Sequence, residues 1–390
     1  MKILFICSRI PYPLRDGGAI ATNQMLSSIA HEGHEVSVVS LNTNKHFVEE
    51  SVIQKEFSYC KEIKTFTINT DVKAAKALAN LFSSKSYNLD RFWDEQFQEL
   101  INTTIEENSF DIIQFEGLFV AQYAAGIKNY RGLLSLRQHN VEHQIWERLA
   151  QNEKMILKSW YLKLLAKRMK KFELDCLSCF DTIIPISKID EYYFKTYYND
   201  PILTIPMGIN IKREDPVSNL NLYHIGSMEW LPNKEGVLWF LENVWDEVLS
   251  SLPEAKLFLA GKGVKDSFKN YKNVVLFNEV ESIDKFTKDK TLLIVPLLSG
   301  GGIRIKIIEA MANGKLVVST AQGVQGLIEG YKIPVSNEIE GFAKNIINLL
   351  KSDTRIQKVI EPNYSYIDAN FNPKELTAQL LNHYQLLRKV

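Results

Sequence analysis

Short apolar runs recur along the chain, each about a strand long and separated by stretches with helical spacing. The first is Lys2-Ile3-Leu4-Phe5-Ile6-Cys7, which leads into a turn-rich loop, Pro11-Tyr12-Pro13-Leu14-Arg15-Asp16-Gly17-Gly18. An amphipathic stretch over residues 19–31 and a second apolar run, Val36-Ser37-Val38-Val39, follow. Strand, loop, helix and strand in that order open a parallel α/β unit. Similar runs occur at Asp111-Ile112-Ile113-Gln114-Phe115, Gly132-Leu133-Leu134-Ser135-Leu136 and Thr182-Ile183-Ile184-Pro185-Ile186.

A second series begins near Ile202. It comprises Asn221-Leu222-Tyr223-His224-Ile225-Gly226, Lys256-Leu257-Phe258-Leu259-Ala260-Gly261, Asn273-Val274-Val275-Leu276-Phe277, Leu292-Leu293-Ile294-Val295-Pro296 and Leu316-Val317-Val318-Ser319-Thr320. The pattern predicts two parallel-sheet α/β domains in tandem, residues 1–200 and 201–372, with Asn199-Asp200-Pro201 as punctuation. The segment from about 373 to 390 reads as one amphipathic helix. A chain of 390 residues suits two such cores better than one.

Charge narrows the partners. Lys plus Arg and Asp plus Glu number 46 each, a balance that argues against nucleic acid. No apolar run is long enough to span a bilayer. The N-terminal run is too short for a signal peptide and Ser8-Arg9 interrupts it, so a cytoplasmic protein is expected. Residues 154–173 are rich in Lys, with Trp160 and Tyr161 interleaved. They read as the solvated face of a helix in preference to a membrane-surface helix. Cys176-Leu177-Ser178-Cys179 has no second pair to complete a zinc site, so packed cysteines are expected there.

The strongest chemical signal lies between residues 292 and 320. A buried strand runs into Pro296, Ser299 and three glycines, Gly300-Gly301-Gly302. A helix then begins near Ile303 and ends before Gly314. Unpaired N–H groups and the dipole at a helix start attract an anion, and glycines let a phosphate approach the backbone. Arg304 and Lys306 are expected in the first helical turn, where cations oppose the dipole unless an anion is bound. A diphosphate would remove that conflict. Glu309, a turn further on, suits a sugar or ribose hydroxyl.

The run Gly300-Gly301-Gly302-Ile303-Arg304-Ile305-Lys306-Ile307-Ile308-Glu309, continuing to Thr320, resembles the donor-site signature of glycosyltransferase family 4. The resemblance extends to the Gly17-Gly18 loop, the segment from Gly226 to Gly236 and the C-terminal helix. It implies a GT-B fold of two Rossmann-like domains facing across a cleft, with the C-terminal helix joining the first domain. It also implies a retaining, metal-independent hexosyl transfer. The first domain would take the acceptor and the second a nucleoside-diphosphate sugar, a UDP-sugar in first place, with no other cofactor. Two departures stand out. Gly301 occupies the place of the family's first glutamate, and Ser227 that of an arginine after the first strand of the second domain. Arg304 and Lys306 are therefore expected to supply the phosphate charge, with Lys234 assisting.

Two further candidates belong to the first domain. His139 in Arg137-Gln138-His139-Asn140-Val141-Glu142-His143 follows a strand, where ligands of open α/β sheets bind. The resemblance gives it contact with the transferring sugar. Glu116 ends another strand and is a candidate for the acceptor. His139, Glu142 and His143 also spell H-x-x-E-H, an inverted zinc-protease motif, which the strand-end position disfavours. No Asp-X-Asp occurs, so no metal-bound diphosphate is expected. The expected role is sugar transfer to a glycan, lipid-linked or other hydroxyl acceptor in surface polysaccharide or glycoconjugate synthesis. Peripheral contact with the inner face of the membrane is compatible with it. A sugar-nucleotide epimerase and a catalytically degenerate binding subunit are the alternatives.

Overall fold

The computed structural model describes residues 1–14, 17–213, 217–268, 271–300, 302–351 and 353–388. Two compact units emerge, one of Met1–Gly208 with Pro373–Val390 and the other of Ile209–Asn372.

The first unit is built on six parallel strands: β1 Lys2–Cys7, β2 Glu35–Thr43, β3 Glu62–Ile68, β4 Ile112–Glu116, β5 Leu133–Gln138 and β6 Thr182–Pro185. Their order is β3-β2-β1-β4-β5-β6. Ile3–Cys7 of β1 and all of β4 are buried, as strands covered on both faces must be, and β4 carries Gln114 and Glu116 within that buried run. β3 lacks such a run. It alternates polar and apolar residues and buries only Ile63, because it is an edge strand.

The chain builds outward from β1 to β3 and then crosses back to place β4 on the other side of β1. The carboxyl ends of β1 and β4 therefore flank the point where the winding reverses, the usual ligand position in such sheets. Register sets Cys7 opposite Glu116 there.

The helix Gly17–His31 begins at Gly17, two residues earlier than its hydrophobic spacing predicts. The C-terminal helix Pro373–Leu387 is part of this unit. Its Leu376, Leu380, Leu381 and Tyr384 are buried among Ile3, Phe5, Met25 and Leu26. Their spacing defines one apolar stripe of a helix. The Tyr384 hydroxyl lies 2.8 Å from Ser135 Oγ and donates to Gln114 Oε1.

The second unit has five parallel strands: β7 Asn221–Ile225, β8 Lys256–Ala260, β9 Val274–Phe277, β10 Leu292–Val295 and β11 Leu316–Ser319. Their order, β11-β10-β7-β8-β9, places its reversal point between β7 and β10. The loops leaving those two strands are the Gly226 segment and the glycine-rich segment. Trp245, Phe240 and Phe342 fill the core on one face.

Cys176–Cys179 forms a 3-10 turn after the helix Ile156–Asp175, and Cys176 packs in the core beside Leu177. No helix among the described residues is long and apolar enough to cross a membrane.

Candidate functional site

In the first unit the strand ends open into a cavity of about 640 Å³. Cys7 of β1, Glu116 of β4, His139 and Asn140 after β5, and Gly18, Ala19 and Thr22 of the first helix all line it. Gly17 starts that helix. Glu116 is the hub. Its Oε2 accepts from Thr22 Oγ1 at 3.0 Å and from His139 Nε2 at 3.0 Å, and lies 3.7 Å from Arg137 Nη1. Gln114 Nε2 donates to Oε1.

Burial pushes the Glu116 carboxyl upward. The Arg137 guanidinium and the hydrogen bonds from His139 and Gln114 outweigh that and hold it at about 2. An ionised Glu116 can only accept, so Nε2 of His139 carries the proton of their hydrogen bond.

Arg137 and Thr22 are functional neighbours that sequence reasoning passed over. Arg137 is named there only as part of a strand end, and nothing local signals that its side chain turns inward to full burial. Tyr384 lies further back. It reaches Glu116 through Gln114, so the C-terminal helix supports the hub.

The H-x-x-E-H residues divide between two tasks. His139 faces Glu116. His143 is buried, donating from Nδ1 to Glu173 Oε2 at 2.5 Å while Nε2 lies 3.1 Å from the Tyr193 hydroxyl. Glu173 also accepts the backbone N–H groups of Glu142 and His143, capping the helix Glu142–Asn152 from another helix. Glu142 lines the cavity, and burial together with the nearby Glu173 charge raises its carboxyl to about 7. Among the described residues no group of three His, Cys, Asp or Glu could hold a metal ion.

In the second unit the helix runs Ile305–Ala312, with Arg304 as its N-cap. Arg304 therefore stands just before the first turn and not inside it, while Lys306 is in the turn. Extended backbone at Arg304 explains the difference. Gly300 has φ of +96°, and a Cβ there would come within 2.8 Å of the Trp230 ring and 3.1 Å of Arg304 Nη2. The guanidinium stacks on Trp230, 5.0 Å from the ring centroid. Gly302, with φ of +86°, and Ile303 precede Arg304. Gly301 lies outside the described residues.

Lys306 reaches the other loop. Its Nζ donates to Asn233 Oδ1 at 3.1 Å, and Asn233 Nδ2 donates to the Ser227 carbonyl at 3.0 Å. A Cβ on Gly226 would sit 2.6 Å from Asn233 Nδ2 and 2.8 Å from Nζ, so a larger residue would have to displace the ends of both side chains. Burial and the neighbouring Arg304 charge bring the Lys306 ammonium down to about 7.

His224, fully buried beneath, donates from Nδ1 to the Ile294 carbonyl at 2.9 Å. Burial and Lys306 drive its pKa far below the usual value, so it stays neutral. Burial raises the Glu309 carboxyl, with Asp284 adding to the rise and Lys212 and Lys306 opposing it. Ser227 contributes its carbonyl to Asn233, and its Oγ accepts the Glu229 N–H. Lys234 is exposed on the helix Leu231–Asn243, whereas Asn233 beside it turns inward. Asn233 and His224 were invisible as site residues in the sequence because their partners lie about seventy residues away.

Both clusters stand where their sheets reverse winding. Residues 219–352 match the family model for glycosyl transferases group 1. An uncharacterized 44.6 kDa protein in the cps region of Klebsiella pneumoniae is 24% identical, covering 97% of this chain and 98% of its own. Among solved structures, HepE from Anabaena in complex with UDP aligns at 14% identity over 99% of this chain and all of its own, with a TM-score of 0.62. TarM aligns at 14% identity over 98% and 99%, with a TM-score of 0.66. WaaG, a glycosyltransferase involved in lipopolysaccharide biosynthesis, aligns at 16% identity over 98% and 99%, with a TM-score of 0.58. Two parallel-sheet units together with these neighbours define a GT-B fold.

Proposed function

We propose that this protein transfers a sugar, with retention of configuration, from a nucleoside-diphosphate sugar to a hydroxyl acceptor in surface polysaccharide synthesis. The observation that carries the proposal is the Lys306 ammonium. It is held beside Arg304 at a helix start, enclosed enough that its pKa falls to about 7. Two adjacent cations so placed are unfavourable unless an anion joins them. A diphosphate supplies that charge, and during transfer it gathers more as the sugar departs. Arg304 can hold it through two N–H groups, and Lys306 acts as a point charge.

UDP-sugars are the favoured donors, since HepE is described with UDP and UDP-glucose and a TarM complex contains UDP. The match of residues 219–352 to glycosyl transferases group 1 supports the same reading, as does the cps-region relative. Glu309 is assigned to donor hydroxyls. In the first unit, the polar cavity around Glu116 and His139 suits an acceptor. His139 contributes hydrogen bonding to the reacting sugar, and Glu116 orients its ring.

Titration of the protein with UDP by calorimetry tests the donor site. Lys306→Ala should weaken UDP by roughly ten- to a hundredfold, the value of one charge-assisted contact. Equal affinity in the variant would sink the assignment. Turnover of a UDP-sugar panel that requires an acceptor separates transfer from epimerisation and from binding alone. Proton NMR of the first product reads the anomeric configuration.

A further inference from the structure

The helix Ile156–Asp175 exposes most of its lysines, as expected of a solvated face, but large apolar side chains stand exposed among them. At its start Ile156 is 85% exposed, Leu157 81% and Trp160 57%. Ile156 and Trp160 are four residues apart and so lie on one side of the helix. Packed beside this helix is a short one, Ala74–Ala79, followed by a 3-10 turn, Asn80–Phe82. Leu78 is 65% exposed and Phe82 96%.

The two segments are lashed together. The Tyr161 hydroxyl donates to the Ala77 carbonyl at 3.2 Å, and Arg168 donates to the carbonyls of Asn80 at 2.8 Å and Leu81 at 3.0 Å. The exposed apolar side chains therefore form neighbouring parts of one surface of the first unit.

Charge around that surface is one-sided. Residues 72–86 contain three lysines and no carboxylate, and residues 154–172 contain seven Lys or Arg and no carboxylate. The whole chain is balanced at zero. Of the acids that flank these segments in sequence, Asp71 lines the cavity, Glu153 is paired with Lys158 at 2.6 Å and Glu173 is buried under His143. Large apolar side chains standing in water amid an excess of cations match one kind of partner. A bilayer interface accepts the apolar groups among its acyl chains, and its anionic headgroups meet the lysines. A nucleic acid would meet the lysines and leave Ile156, Leu157 and Phe82 in water.

We propose that this surface docks the protein on an anionic membrane. Asp71 and Val72, which precede the first of the two segments, line the cavity of the first unit, and Val72 is 68% exposed. Docking through this surface sets the cavity mouth beside the headgroups, the place where a lipid-linked acceptor presents its hydroxyl. The surface belongs to the first unit and the Lys306 cluster to the second, so the docking can be tested without any nucleotide.

The full chain is sedimented with vesicles of phosphatidylcholine alone and of phosphatidylcholine mixed with phosphatidylglycerol. Binding is expected only to the anionic vesicles and should weaken as salt is added. Ile156→Glu with Leu157→Glu should reduce it by roughly tenfold or more, as should Lys154→Glu with Lys163→Glu. All four side chains are exposed, so both variants should keep the wild-type circular dichroism and melting temperature.

Three results overturn the proposal. One is no binding to anionic vesicles. Another is equal binding to neutral vesicles or undiminished binding by both variants. The third is a self-associated wild type that the Ile156→Glu, Leu157→Glu variant converts to monomer, which would give the surface to a second copy of the chain.

Discussion

Lys306 shows how a functional residue can oppose stability. Its pKa is about 7 in the folded protein and that of an ordinary lysine when unfolded. The unfolded chain thus binds more protons between pH 7 and about 10.5, so stability rises with pH across that window and is flat below it. Replacing Lys306 with Met should raise the melting temperature of the unliganded protein at pH 7 and abolish its stabilisation by UDP. A variant that melts lower and still responds to UDP would show that Lys306 serves packing.

Glu142 has the reverse sign. Its pKa is raised to about 7, so the folded state holds the extra proton and stability falls as pH climbs from about 4.5 through 7. Glu142→Gln should melt higher than the parent at pH 8 and match it near pH 4.5. Thermal scans at the two pH values check this, and a variant gain confined to pH 4.5 would refute it. Glu116 is different again. Depressed to about 2, it contributes stability that is fully present above the ordinary carboxylate range and is lost progressively as pH falls from about 4.5 to about 2.

At the scale of elements, the C-terminal helix is where sequence and contact agree most directly. The spacing of Leu376, Leu380 and Tyr384 predicts one buried stripe, and those side chains are buried. Leu380 is fully enclosed, so Leu380→Ala should cost about 2–5 kcal/mol in denaturant unfolding. A loss below about 1 kcal/mol would mean that the helix is not bound to the sheet as described.

The polar end of the same helix could not be read in advance. Tyr384 meets Gln114 across 270 residues of sequence. The edge strand β3 also escaped notice. A strand with one covered face alternates, and seven such residues stand out less than the unbroken runs of β1 or β4. The helix after the glycines was legible as an element but not in its start. Extended backbone at Arg304 moves that start to Ile305.

At the scale of the whole molecule, the two units hold different chemistry. The first collects acids, His139 and an open cavity, and the second collects two cations on a glycine-rich turn. Nucleotide binding should therefore leave a local mark. Hydrogen exchange with and without UDP should slow amides in residues 224–236 and 302–309, and protection confined to the first unit would contradict the donor assignment.

The tandem sheets, the C-terminal stripe and the existence of a helix after the glycines were determined by the sequence itself, because periodicity and turn chemistry are local. A role in surface polysaccharide or glycoconjugate synthesis and the GT-B architecture were expected from motif resemblance, and the architecture is borne out by the two parallel sheets and the solved neighbours. Tertiary structure alone decided which side chains converge. Strand order brought Glu116 to the winding reversal opposite Cys7, with Arg137 and His139 beside it. The same kind of reversal carried Lys306 to Asn233 and left Lys234 outside. Which strands lie side by side is a long-range choice of packing, and no window of neighbouring residues records it.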